Sequence, residues 1–445
     1  MLKRLRETFL IMGTGLSVIN IEGEMKMKKR TRVVVISMLI ICTLAVNMLG
    51  CSKKSVDEKS DLMKSVTPNE IKEVGNLGPQ NEAVTDFAIR LFKACETKDD
   101  NTLISPLSVL CALSMTTNGA EKETLEQMES VLGMDADALN QYIYAYMKNL
   151  PKGEKYKLSL ANSIWFTDDS RFTVNQDFLQ VNADYYGADF YKAPFNEQTC
   201  TDINNWVKEN TDEMIPEILR EISGDAVMYL VNALAFEAEW AEIYEMHQVN
   251  TGRFTMEDGT SENVELMHGT EKMYLEDEKA TGFMKYYKDD KYAFVAMLPN
   301  EGVSVSEYVA SLNGESLNKL LMNPQNTTVY TSIPKFETEY DIELSNILME
   351  MGMQEAFDPL EADFGRLGTS NNGNVYISSV IHKTFISVGE NGTKAGAATI
   401  VEMTDGMAML PQDVKEVYLD RPFVYMLIDC ENNIPFFIGT MMHVN

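Results

Sequence analysis

Val84, Phe87, Ala88, Leu91, Phe92 and Cys95 recur at the i, i+3, i+4 spacing of an amphipathic helix. Ser105-Pro106 predicts the start of a second helix, with Ser as cap and Pro in the first turn. Glu121 to Leu132 predicts a third, and Ile203, Trp206 and Val207 mark one face of a fourth. Leu158 to Phe166 reads as a strand. The run from Val227 to Phe236 is almost continuously apolar, which predicts a strand covered on both faces. Tyr292 to Leu298 reads as another buried strand and Val329 to Ile333 as a further one, followed by a helix from about Ile342 to Met351. Two strands, Pro422 to Asp429 and Pro435 to Thr440, close the chain. No composition break separates residues 81 and 445. The pattern is one α+β domain without internal repeats, helices first and mixed strands after.

The N-terminal part is patterned differently. Residues 25–32 read MKMKKRTR and precede an apolar run of seventeen residues ending at Leu49, then Gly50 and Cys51. A basic stretch, an apolar stretch and a small residue before the cut describe an export signal. Met48-Leu49-Gly50-Cys51 resembles the bacterial lipoprotein signal, which implies lipidation at Cys51 and tethering outside the cell; an uncleaved anchor helix is the alternative. Residues 1–24 read as sequence upstream of the true start. Residues 51–80 hold few large apolar side chains, which predicts a flexible tether.

Charge narrows the partners. The 445 residues carry 38 Lys and Arg against 67 Asp and Glu, a formal net charge of −29. Eight of the bases and three of the acids lie in the first fifty residues, so the remainder has thirty bases against sixty-four acids. That balance opposes nucleic acid and anionic lipid headgroups as partners and leaves a lipid anchor as the only membrane contact. Cys95, Cys111, Cys200 and Cys430 are widely spaced, and Cys95 and Cys111 sit in apolar helical patterns, which predicts buried free thiols. The four histidines are His247, His268, His382 and His443, and there is no HExxH, CxxC or GxSxG. Asp363-Phe364-Gly365 reads as a turn, and Asp135 with Asp137 lacks the remaining ligands of a calcium loop. No metal or cofactor is implied, and no enzyme class is supported.

Five segments, in order, resemble the serpins. They are Asn101 to Val109 with its continuation to Gly119-Ala120, and Leu230 to Phe236 with Trp240. Next come Ile333-Pro334-Lys335-Phe336 with Met351-Gly352-Met353 and Ala362-Asp363-Phe364, and His382 to Thr393. The last is Arg421-Pro422-Phe423 with Phe437-Ile438-Gly439. The resemblance covers roughly residues 81–445. It implies a single monomeric domain of about eight or nine helices and three β-sheets, with an exposed reactive-centre loop that a protease attacks. It also implies a sheet-opening cluster at Ser105, Ser108, Asn232 and His382. The insertion-start region falls at Trp240, Lys335 and Glu390, and the hinge at Glu390, Gly392, Thr393, Ala395, Gly396, Ala397, Ala398 and Thr399. Glu121-Lys122-Glu123 departs from the family, which usually has a basic residue and Gly there.

The loop is also legible physically. Thr393, Ala395, Ala397, Thr399, Val401 and Met403 would share one face of a strand, and that face holds no charge; Lys394 and Glu402 fall on the other. Such a segment can enter a sheet over an apolar core. The resemblance implies cleavage, an acyl-enzyme, and insertion of the freed loop. Backbone hydrogen bonds at about 0.5–1.5 kcal/mol each roughly offset chain ordering at about 1–2 kcal/mol per residue, so side-chain burial and relief of strain must supply the surplus. Counting about seventeen residues from Glu390, as the family does, places the cut between Gly406 and Met407; counting back from Arg421-Pro422-Phe423 places it near Pro411. Met409 and Leu410 are alternatives. Residues 405–410 hold no Lys or Arg, which excludes trypsin-like targets and fits serine proteases with apolar pockets, with papain-like cysteine proteases as a second class. Two other readings stay open: a non-inhibitory binding or scaffold protein of the same fold, and a surface solute-binding or adhesion lipoprotein.

Overall fold

A computed structural model describes residues 59–72, 77–170, 172–223, 226–371, 373–393 and 414–444. Among them lie nine α-helices and three sheets of seven, nine and two strands. The run expected to be covered on both faces forms the strand Met228–Glu239. Its even positions Leu230, Leu234 and Phe236 face the main core, and Tyr229, Val231 and Ala233 face a second core beneath the helix Glu197–Asn210. Ile203, Trp206 and Val207 are the buried face of that helix, as the spacing predicts.

In the seven-stranded sheet Met228–Glu239 pairs antiparallel with Tyr156–Thr167 along its length. On its other side lie Gly392–Thr393 and then Ile381–Gly389, which pairs in turn with Phe336–Glu343. The nine-stranded sheet is linked by the sixteen-residue strand Ser261–Glu276. The first seven residues of that strand pair with Val249–Thr255, residues 266–274 with Gln325–Pro334, and the last four with Ala280–Tyr286. The helix Pro106–Thr117 is buried along all of its residues against both large sheets. Ser105 caps it through a bond from the Ser108 N–H, with Pro106 in the first turn.

Three expectations need correction. Ile342 belongs to the strand Phe336–Glu343, and the helix begins at Ser345, because Glu343 accepts from the Ser345 N–H and Oγ and ends the strand there. The domain begins before residue 81, with the helix Gly78–Cys95. The expected tether is docked wherever it is described. Ser60–Asp61 adds a strand to Asp189–Ala193, and Lys59 Nζ lies 5.4 Å from the Trp165 ring and 5.1 Å from that of Tyr191. Asn69 donates from its backbone N–H and its side chain to Asp184, at 2.7 and 2.9 Å. The segment is held by backbone pairing, charge-assisted bonds and three apolar side chains, Leu62, Met63 and Val66, that pack against the main core. The expectations for Cys51 and the rest of 1–58 lie outside the described residues. Among the described residues no helix is long and apolar enough to cross a membrane.

The Glu121-Lys122-Glu123 departure has a local consequence. Lys122 opens the helix Lys122–Leu132 at φ 49°, a left-handed conformation that favours glycine, and its ammonium binds Asp363 at 2.8 Å. Asp135 caps the helix Ala136–Asn149, and Asp363 accepts from the Gly365 N–H in a turn. Cys95, Cys111 and Cys200 are buried free thiols.

Asp184 is the acceptor for both donors of Asn69 and for Gln180. Asp184→Ala should release the docked segment with little effect on the core. Hydrogen exchange should rise at least tenfold over residues 66–72, while the thermal midpoint moves by no more than a few degrees.

Candidate functional site

The four residues expected to form a polar cluster are brought together, and a fifth joins them. The Ser105 N–H donates to His382 Nε2 at 3.0 Å, and Ser105 Oγ accepts from the Ser108 N–H. Ser108 Oγ donates to Asn232 Oδ1, Asn232 Nδ2 donates to Asn162 Oδ1, and Asn162 Nδ2 reaches Cys111 Sγ at 3.1 Å. All five are buried. The chain of bonds runs from Ile381–Gly389 through the helix cap to Met228–Glu239 and on to Tyr156–Thr167. Asn162 was not anticipated. In sequence it is only an Asn inside a predicted strand; the register of the fold sets it directly opposite Asn232.

His382 is held neutral. Burial drives its pKa down to about 4, and Nε2 must stay unprotonated to accept from Ser105. The hydrogen of the neutral ring therefore sits on Nδ1.

The insertion-start residues assemble at the other end of the same strands. Lys335 Nζ bridges Glu390 Oε1 at 2.8 Å and Glu265 Oε2 at 3.0 Å, and the Glu390 bond heads the causes that raise the Lys335 pKa. Trp240 Nε1 donates to the Gly389 carbonyl at 2.8 Å, and the Trp240 and Tyr244 N–H groups donate to the carbonyls of Asn391 and Glu390. Tyr287 stacks on Trp240 with ring centres 4.3 Å apart, and its hydroxyl is 2.5 Å from Thr393 Oγ1.

The hinge begins inside the sheet. Gly392 pairs with Gly389 and Glu239, and Thr393 with Val388 and Ala238. Thr393 is 1% exposed, with its side chain on the core face, as the alternation predicts. Gly392 sits at φ 149°, and a Cβ there would lie 1.9 Å from the Ala238 carbonyl oxygen, so only glycine fits. Beyond this point the ladder between Met228–Glu239 and Ile381–Gly389 consists, among the described residues, of one parallel bridge, Leu230 to Val380. Ala395, Gly396, Ala397, Ala398, Thr399, Gly406, Met407, Met409 and Leu410 lie outside the described residues. The loop's far side returns as Val414–Tyr418, paired in parallel with Gln325–Pro334.

Comparison with known proteins places this geometry. A family model described as Serpin (serine protease inhibitor) matches residues 82–444. An uncharacterized serpin-like protein of Thermococcus kodakarensis is 29% identical over 92% of this chain and 98% of its own length. The leukocyte elastase inhibitor of Xenopus tropicalis is 29% identical over 78% of this chain and 94% of its own. Among solved structures, the thermophilic serpin tengpin in its native state is 47% identical, covering 87% of this chain and all of its own, with a TM-score of 0.83. Its latent state gives 0.74 at 46% identity, over 85% of this chain and all of its own.

A histidine held neutral makes the native state bind fewer protons than the unfolded chain between pH 6.5 and about 4. The stability it contributes is therefore complete above pH 6.5 and lost as pH falls towards 4, by up to about 3 kcal/mol. The thermal midpoint should drop across that interval. In His382→Gln, whose amide oxygen can accept from Ser105 without titrating, that part of the drop should vanish.

Proposed function

This chain belongs to the serpin family of serine protease inhibitors, and from that premise we propose that it inhibits as a suicide substrate, by loop cleavage, acyl-enzyme trapping and strand insertion. The observation that carries the proposal is the hinge: Thr393, small and hydroxylic, already lies between the two strands with its side chain inward. Continuing its register brings Ala395 opposite Phe236 and Ile386, and Ala397 opposite Leu234 and Thr384. Thr399 then arrives between Asn232 and His382, a hydroxyl delivered to the polar cluster. Val401 arrives at the Leu230–Val380 bridge, which must part to admit it.

The same register measures the loop. Met403 falls opposite Met228, where the strand Met228–Glu239 begins. A cut between Gly406 and Met407 leaves three residues beyond that point, whereas a cut near Pro411 leaves about eight. At about 3.3 Å per residue the first leaves roughly 10 Å of slack and the second more than twice that. Only the short remainder presses an attached protease against the end of the sheet, which favours the count from Glu390. The residues around that bond suit chymotrypsin-like, elastase-like or subtilisin-like pockets, with papain-like cysteine proteases as the other class. Export and lipidation at Cys51, with the inhibitor acting as a monomer outside the cell, are supported by the basic-apolar-Gly-Cys pattern.

Incubation with a panel of such proteases should give complexes that survive SDS. The peptide released from them should begin at Met407, with Ala408, Leu410 or Pro411 as the starts for the neighbouring cuts; a fragment beginning at Glu416 would exclude the assignment. Thr393→Arg should be cleaved at the normal rate and fail to trap, because a cation at a site 1% exposed is left unpaired. Clean cleavage by a non-target protease should raise the thermal midpoint of the wild type. An unchanged or lower midpoint would favour a non-inhibitory binding role.

Labelled fatty acid should be incorporated in cells expressing the full chain and should be lost in Cys51→Ser.

A further inference from the structure

We propose that Lys285, paired with Glu271, is a positioning residue that locks the aromatic platform of the hinge and so decides whether a cleaved loop inserts or is released. The proposal rests on the inhibitory reading above. Lys285 lies on Ala280–Tyr286, a strand of the other large sheet, and is 3% exposed. Its ammonium donates to Glu271 Oε1 at 2.9 Å and to the Glu242 carbonyl at 3.1 Å. It also lies over two rings, 5.3 Å from the centre of Trp240 and 4.4 Å from that of Tyr244.

Both residues hold the hinge segment, Trp240 through its ring and backbone and Tyr244 through its backbone N–H. Trp240 holds the Gly389 carbonyl and stacks on Tyr287, whose hydroxyl meets Thr393; the Tyr244 N–H holds the Glu390 carbonyl. The Tyr244 hydroxyl is buried and makes no hydrogen bond among the described residues, so that ring is oriented by packing and the cation. Burial raises the Glu271 pKa, and the Lys285 charge acts against that rise. The pair thus lies outside the loop and outside the polar cluster, yet its lysine lies over two of the three aromatic residues that grip the segment from Gly389 to Thr393. Strand insertion has to start from this segment in register. With the platform loose, fewer loops should insert before the acyl-enzyme is hydrolysed.

Lys285→Met keeps the length of the stem and removes the charge; Glu271→Gln removes the partner. Each should leave the rate of first cleavage within twofold of wild type and raise the number of inhibitor molecules consumed per protease trapped by threefold or more. Lys285→Met/Glu271→Leu replaces the ion pair with an apolar one, which commonly restores stability. It should recover the thermal midpoint and still trap poorly, which a merely structural role would not produce. Hydrogen exchange of a peptide spanning residues 387–393 should quicken at least fivefold in the uncut variants. Unchanged consumption in Lys285→Met, or full recovery of trapping in the double variant, would overturn the proposal. If the wild type traps no protease while exchange still quickens, the inhibitory reading fails and the platform stands. If exchange does not change, the platform itself is wrong.

Discussion

Two neighbouring parallel strands, Met228–Glu239 and Ile381–Gly389, are joined at the ends of their seam and, among the described residues, share no ladder along its middle. Gly392–Thr393 fills the upper end and the Leu230–Val380 bridge closes the lower. Backbone groups in a buried sheet need partners, so this seam is the place where the fold has most to gain from an extra strand. The remaining features hold the seam in that state. The helix cap at Ser105 ties one strand to the other through side chains, and the Trp240–Tyr287 stack fixes the residue from which pairing would spread. Neither device uses the backbone bonds that a new strand would claim, so both can persist as the seam fills.

Under the proposed insertion mechanism, a state held this way is protected by a barrier and not by depth. Its stability reflects side-chain bonds that can be remade and a core that is already well packed on either side. The main core takes the even positions of the central strand, and the helix Glu197–Asn210 covers the odd ones. Under the proposed insertion, a charge on the main-core face of the added strand would have no route to solvent, whereas a methyl or hydroxyl does not need one.

Much of this was legible in the sequence where one physical signal dominated. The run from Val227 to Phe236 could only be a strand covered twice, and Ile203, Trp206 and Val207 could only share a helical face. The polar cluster was not legible from periodicity; its four anticipated members came from family resemblance, and Asn162 was missed because one polar residue in a strand pattern carries no sign of its partner. Ile342 continues the alternation of Phe336, Thr338 and Tyr340 and so belongs to the strand, which the expected helix start at about 342 overlooked. The docking of residues 59–72 was hidden for a different reason. Its contacts are backbone pairing, a carboxylate acceptor, a lysine over two rings and only three apolar side chains, Leu62, Met63 and Val66, too few to mark an ordered segment by composition. Lys285 was likewise invisible: one lysine among many, whose aromatic neighbours are distant in sequence.

Both rims of the seven-stranded sheet are dressed against strangers. On one side Ser60–Asp61 occupies the flank of Asp189–Ala193. On the other, the exposed positions of Phe336–Glu343 are Glu337, Glu339, Asp341 and Glu343, every one acidic. Edge strands recruit passing chains unless they are covered or charged. A crowd of identical molecules, each bearing the same negative rim, repels itself along that flank. Sideways growth of the sheet into fibres is thereby discouraged at both of its edges.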